Sequence, residues 1–112
     1  MANIERSVGT SGADAAQTVS SPTEPTAVRR VNMITVAYSA APTQGGVTVT
    51  INNGAGAGYD CPLLTGAANA RYTTFLPTAE LYLNVDDVLD VLAPAGGVGI
   101  TSAIAIYTEF GY

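Results

Sequence analysis

Val47-Thr-Val-Thr-Ile-Asn52 alternates apolar and polar side chains without a break. Side chains of a strand point to opposite faces in turn, so Val47, Val49 and Ile51 share one face, with Thr48, Thr50 and Asn52 on the other. The stretch predicts a half-buried strand, and the flanking chain repeats the signal. Upstream, Val31 to Ser39 is rich in β-formers and apolar on both faces, the pattern of a strand covered on two sides. Ala40-Ala-Pro-Thr-Gln-Gly-Gly46 between them reads as a turn.

Downstream, Asn53-Gly-Ala-Gly-Ala-Gly58 is a loop. Tyr59 to Leu64 predicts a short strand, and Pro62 places it at a sheet edge because proline has no N–H to give a ladder. Arg71 to Leu76 is the next strand, ended by Pro77. Leu81, Leu83 and Val85 alternate with Glu80, Tyr82 and Asn84. Asp86-Asp87 turns a corner into Val88 to Leu92, and Ala93-Pro-Ala-Gly-Gly97 turns again. The last strand is read as the longest. Val98, Ile100, Ile104 and Ile106 take one face; Gly99, Thr101, Ala103 and Ala105 take the other, where small side chains admit a second sheet or subunit. About seven to eight strands at this spacing, with no convincing helix, predict an all-β antiparallel β-sandwich or jelly roll over residues 27–112.

Residues 1–26 differ in texture. Ser7 to Thr26 is small and polar, with little to bury, so it reads as a flexible, extended N-terminal arm. Two readings stand side by side: a loose tail, or an arm that orders on a neighbouring subunit by adding a strand to its sheet edge. A helix over Asp14 to Thr18 is too short to persist alone. Met1 to Ser20 lacks the apolar run of a signal peptide, and no run approaches the length of a membrane helix. The expectation is a protein made in the cytoplasm, with no membrane partner.

Composition narrows the chemistry. The 112 residues hold no histidine and no tryptophan, and all four basic residues are arginines. A Ser-His-Asp triad and an imidazole zinc site are therefore excluded. Cys61 is alone, so it forms no internal disulfide and no thiolate cluster; it reads as a small apolar filler near a strand end. The net charge is −5 and the only basic cluster is Arg29-Arg30, which disfavours nucleic acid. Asp86, Asp87 and Asp90, with Asp60 or Glu80, are candidates for a Ca²⁺ site, but they lack EF-hand spacing and Asp is an ordinary turn residue. A glycosidase dyad from the same acids has no aromatic platform beside it. Gly54 to Gly58 precedes a strand rather than a helix, so it is a poor phosphate cradle. Tyr38, Tyr59, Tyr72, Tyr82, Tyr107 and Tyr112 are candidate contact residues, against ordinary sheet-surface packing. No catalytic, cofactor or metal residue is assigned, and the expected role is adhesion rather than catalysis.

Val36 to Ile51, followed by Leu81-Tyr-Leu-Asn-Val-Asp-Asp-Val-Leu-Asp-Val-Leu-Ala-Pro-Ala-Gly-Gly97, resembles small phage head-decoration, or cement, proteins. The resemblance implies a jelly-roll-like body behind a polar N-terminal arm, seated on the capsid exterior and associated as a homotrimer. The implied partner is the major capsid protein, and the implied location is the virion. An alternative of a different class is a carbohydrate- or receptor-binding module of a phage tail or fibre, with Tyr59, Tyr72 or Tyr82 at its contact patch.

Overall fold

The strand pairs are nested. In a computed structural model that describes residues 3–21, 28–43, 45–54, 56, 58 and 60–110, β1 (Asn3–Thr10) pairs with β9 (Ser102–Phe110). Inside that pair, β2 (Gln17–Ser20) meets β8 (Val88–Ala93), β3 (Arg29–Tyr38) meets β6 (Tyr72–Phe75), and β4 (Thr48–Asn52) meets β5 (Cys61–Thr65). Every pair is antiparallel, so the chain is one long hairpin whose tip lies between β4 and β5. Rolling that ribbon sets β9 beside β3 and β8 beside β4. The result is a β1-β9-β3-β6 sheet, with the two-residue β7 (Tyr82–Leu83) also on β3, and a β2-β8-β4-β5 sheet. This is the double-sheet jelly roll.

One core lies between the sheets. Val31, Ile34, Val36 and Tyr38 of β3 and Ile104 and Ile106 of β9 join Val49 of β4 and Leu89, Val91 and Ala93 of β8. Val47 and Leu83 complete the buried set. Each buried Val, Leu or Ile contributes about 1.5–3 kcal/mol relative to an exposed one. The alternation at Val47 to Asn52 holds: Val49 is buried and Thr48 and Thr50 are half-exposed.

β3 keeps its phase only by a bulge. Register against β9 slips between Val31 and Met33, so Val31 and Ile34 both face inward although three positions apart. A bulge inserts one residue and re-aims the side chains after it. Pro62 does sit on an edge strand, β5, where a second slip falls between Val49 and Thr50.

Several expectations change. Residues 3–10 and 17–20 are β1 and β2, each paired into a sheet, where the sequence suggested a flexible arm over 1–26. Apolar burial is a poor guide for edge strands, whose backbone is satisfied by a neighbour and whose side chains can stay polar. Here Gln17 Nε2 donates to the Ser102 carbonyl (3.1 Å) and to Ser102 Oγ (2.8 Å), and Ser11 Oγ accepts from the Ser102 N–H (2.9 Å). Positions 22–26 of the expected arm lie outside the described residues. Asp14 takes a positive φ of 50° in the turn between β1 and β2, so the short helix considered there does not form.

The last strand begins at Ser102 rather than Val98. Gly97 and Gly99 have φ of 119° and 74° and bend the chain, which leaves Val98 94% exposed, off the Ile104–Ile106 stripe. The Leu81–Val85 alternation yields only the short β7, since Asn84 to Asp87 closes a turn through the Asp87 N–H and the Asn84 carbonyl at 3.0 Å. No helix of the described residues is long and apolar enough to cross a membrane.

Candidate interaction surface

The outer face of the β1-β9-β3-β6 sheet is built by alternation. Register sets Thr10, Ala103, Ala37 and Tyr72 in one row across β1, β9, β3 and β6. The next row is Val8, Ala105, Thr35 and Thr74, and the third runs Arg6, Tyr107 and Met33. Small side chains therefore floor the middle of the face while larger ones stand at its sides. Val8 and Ile4 are each 60% exposed on β1, and Tyr72 is 65% exposed on β6. A shallow depression of about 350 Å³ lies over Thr10, Ala37, Tyr72 and Ala103. The sequence expected β3 to be covered on both sides, but Met33, Thr35 and Ala37 stay half-exposed.

Charge on this face differs from the rest of the molecule. Arg6, Arg30 and Arg71 lie on it or at its rim, in a chain whose net charge is −5. Arg30 bridges Glu80 at 3.6 Å, an exposed pair worth about 0–1 kcal/mol, and the half-buried Glu109 at 3.5 Å. Arg71 donates to the Tyr38 and Ser39 carbonyls at 3.2 and 3.0 Å, and its guanidinium lies 5.2 Å from the centre of the Tyr72 ring. That contact holds a cation and an aromatic ring together at the surface.

The opposite face of the sandwich is polar. Thr18, Leu92, Thr48 and Thr65 form one row on the β2-β8-β4-β5 sheet, and Ser20, Asp90 and Thr50 form another. Asp90 accepts from Ser20 Oγ at 2.6 Å and from Asn52 Nδ2 at 3.3 Å, which uses it as a cross-strand tie.

The candidate cation ligands do not converge. Asp87 Oδ2 accepts from the Asn84 N–H at 3.1 Å inside its own turn, Asp86 is exposed beside it with φ of 70°, and Asp90 lies on β8. Among the described residues, no three His, Cys, Asp or Glu side chains gather as a metal-binding group. Arg29-Arg30 is not a basic cluster, because alternation sends Arg29 into the core, 0% exposed, and Arg30 outward. Arg29 Nη2 donates to the Asp87 carbonyl at 2.7 Å, which pins the Asp86-Asp87 corner to β3. Cys61 is exposed at the start of the β5 edge rather than buried.

The tyrosines divide by role. Tyr38 is buried and donates to the Pro94 carbonyl at 2.8 Å, and burial raises its pKa above the usual 10.0. Tyr72 and Tyr82 pair with Ala37 and Arg30, at opposite ends of β3, so they form no joint aromatic platform. Tyr82 donates to Glu80 at 2.9 Å, and Tyr107 is half-buried on the outer face. Tyr59 and Tyr112 lie outside the described residues. The β1 contribution of Ile4, Arg6 and Val8 is absent from the sequence reading. Its signal was the alternation of Ile4, Arg6, Val8 and Thr10 with Glu5, Ser7, Gly9 and Ser11. Comparison of the chain with protein-family models and with curated proteins finds no match to either.

Proposed function

We propose that this chain is a virion structural protein that seats on the outer surface of a major capsid shell and stabilises it. The observation that carries the reading is the outer β1-β9-β3-β6 face, left open with Val8, Ile4 and Tyr72 standing around an Ala103, Ala105 and Ala37 floor. Apolar side chains gathered on one sheet face suit burial against another protein. Tyr and Arg at its sides are the residue types enriched at such contacts. The opposite, threonine-rich face suits solvent. A subunit that binds only the assembled lattice stabilises it by mass action, by about 2.7 kcal/mol per site at 100 times its Kd. The role is adhesion, with the sandwich as a rigid platform.

The test is co-sedimentation of the purified protein with expanded shells assembled from the major capsid protein encoded in the same genome. Binding should saturate at a fixed number of copies per capsomer and raise the temperature at which shells come apart. Val8→Glu combined with Tyr72→Glu should abolish binding, while Thr50→Glu on the opposite face should leave it intact. Shells that bind no wild-type protein would remove the reading.

A further inference from the structure

We propose that the edge of β1, which no strand of the described residues pairs, is a self-association site, at which two copies pair β1 against β1 about a two-fold axis through Ser7. The proposal does not depend on shell binding. Exposed edge strands are normally blunted by shortness, proline or bulges, since their free N–H and C=O groups recruit other strands. β2 and β6 are four residues each, and β6 is followed by Leu76-Pro77. β5 holds Pro62 and a register slip. β1 is neither short, bulged nor interrupted by proline: its eight residues pair with β9 in unbroken register, and charge, at Glu5 and Arg6, is its one blunting device. Its inward charge, Glu5, accepts from Thr108 Oγ1 of β9 at 3.4 Å, so it is tied to its own sheet.

The backbone groups at that edge can be assigned. The Ser11 N–H donates to the Ser102 carbonyl at 2.9 Å, one step beyond the Thr10–Ala103 pair. Hydrogen-bonded pairs in an antiparallel ladder recur every second residue. Gly9, Ser7 and Glu5 therefore direct their backbone groups at β9, and Ile4, Arg6, Val8 and Thr10 direct theirs at the open edge.

A second copy of β1 can pair all four. With Ser7 on the axis, Arg6 lies opposite Val8 of the second copy and Ile4 opposite Thr10, so every outward group of both strands is paired. A register two residues shifted, centred on Arg6, would set two guanidinium groups against each other, and like charges directly opposite are destabilising. Glu5 and Arg6 cancel within β1, so this edge is neutral in a chain of net charge −5, whereas Asp86, Asp87 and Asp90 lie elsewhere. The two sheets become one, and Val8 and Ile4 gain cross-strand neighbours. This two-fold contact is distinct from the three-fold association implied by the resemblance to cement proteins.

Sedimentation equilibrium of the full chain tests it. The expected species has twice the 11.4 kDa of the chain. Val8→Pro removes an outward N–H without touching the β9 ladder, and should weaken the dimer by about 100-fold with an unchanged circular dichroism spectrum. Should that variant fail to fold, side-chain charge reads the register instead. Val8→Lys faces Arg6 of the second copy and should weaken association about tenfold, whereas Val8→Glu should tighten it. A monomer, a three-fold mass, or equal effects of Val8→Lys and Val8→Glu would overturn the proposal. A three-fold mass would do so while leaving the shell reading standing.

Discussion

A Cβ placed on Gly9 would stand 2.5 Å from Cγ2 of Val19 and 2.9 Å from Oε1 of Gln17. Gly9 faces inward on β1, opposite Ile104, and Val19 lies on β2, so this is where the edges of the two sheets close on each other. The missing side chain lets β2 fold under β1 and bring Gln17 within reach of Ser102. Gly9→Ala should therefore destabilise the protein by about 1–3 kcal/mol through overpacking. Val19→Ala in the same chain should recover part of that loss. Urea unfolding of the two single variants and the double variant measures the coupling, and strict additivity would mean that the contact is absent.

A sharper contrast lies in the adjacent glycines Gly45 and Gly46. A Cβ at Gly46 would overlap the Gly66 carbonyl, which is backbone and cannot rotate away, whereas Gly45 has open space around it. The Gly66 N–H in turn donates to the Val47 carbonyl at 2.7 Å, so the two segments are locked at close approach. Gly46→Ala should cost more than about 3 kcal/mol or prevent folding, and Gly45→Ala should change stability by less than about 0.5 kcal/mol. Thermal unfolding of the pair decides it; equal midpoints would contradict the packing.

The N-terminal strands carry a third prediction. Gln17→Ala removes both hydrogen bonds to Ser102 and should cost about 1–2 kcal/mol. It should also speed hydrogen exchange at the Ser11 amide, which is held by the Ser102 carbonyl. Deleting residues 1–20 takes away the partners of β9 and β8 along one side of each sheet. That deletion should abolish cooperative unfolding, where removal of a mere tail would leave the melting curve unchanged.

The same strands mark the limit of what the sequence made legible. Val47 to Asn52 announced itself because period-two alternation coincides with burial of Val49, and Val88 to Leu92 because an apolar run follows the Asp86-Asp87 corner. Pro62 announced an edge because its chemistry allows little else. β1 alternates just as regularly, but its inward positions are Glu5, Ser7 and Gly9, none of which is a large apolar side chain. Its order comes from pairing with β9, about a hundred residues away in sequence. The outer face was half legible. The small side chains Ala103 and Ala105 stood out, but which side chains frame them depends on β1 and β6 lying alongside. The Arg29-Arg30 pair misled for a local reason: adjacent residues on a strand face opposite ways, so a doublet in sequence is not a patch in space.

Tyr38 links one buried hydroxyl to the pH dependence of stability. Its ring sits in the core and its O–H donates to the Pro94 carbonyl at 2.8 Å. Burial disfavours the phenolate, so the folded-state pKa is raised above the ordinary 10.0. An acid that holds its proton more tightly when folded stabilises the protein fully below the unfolded pKa. As the pH climbs past about 10, the unfolded chain releases this proton first, and stability falls until the raised folded pKa is reached. Tyr38→Phe should then act in two ways. At neutral pH it leaves the Pro94 carbonyl without its donor and costs about 1–2 kcal/mol. Above about pH 10 it removes the Tyr38 share of the alkaline decline, so the gap between variant and wild type narrows as the pH rises. Urea titrations at pH 7 and pH 10.5 measure both effects, and a gap that widens with pH would show that the hydroxyl ionises more readily in the fold than in the open chain.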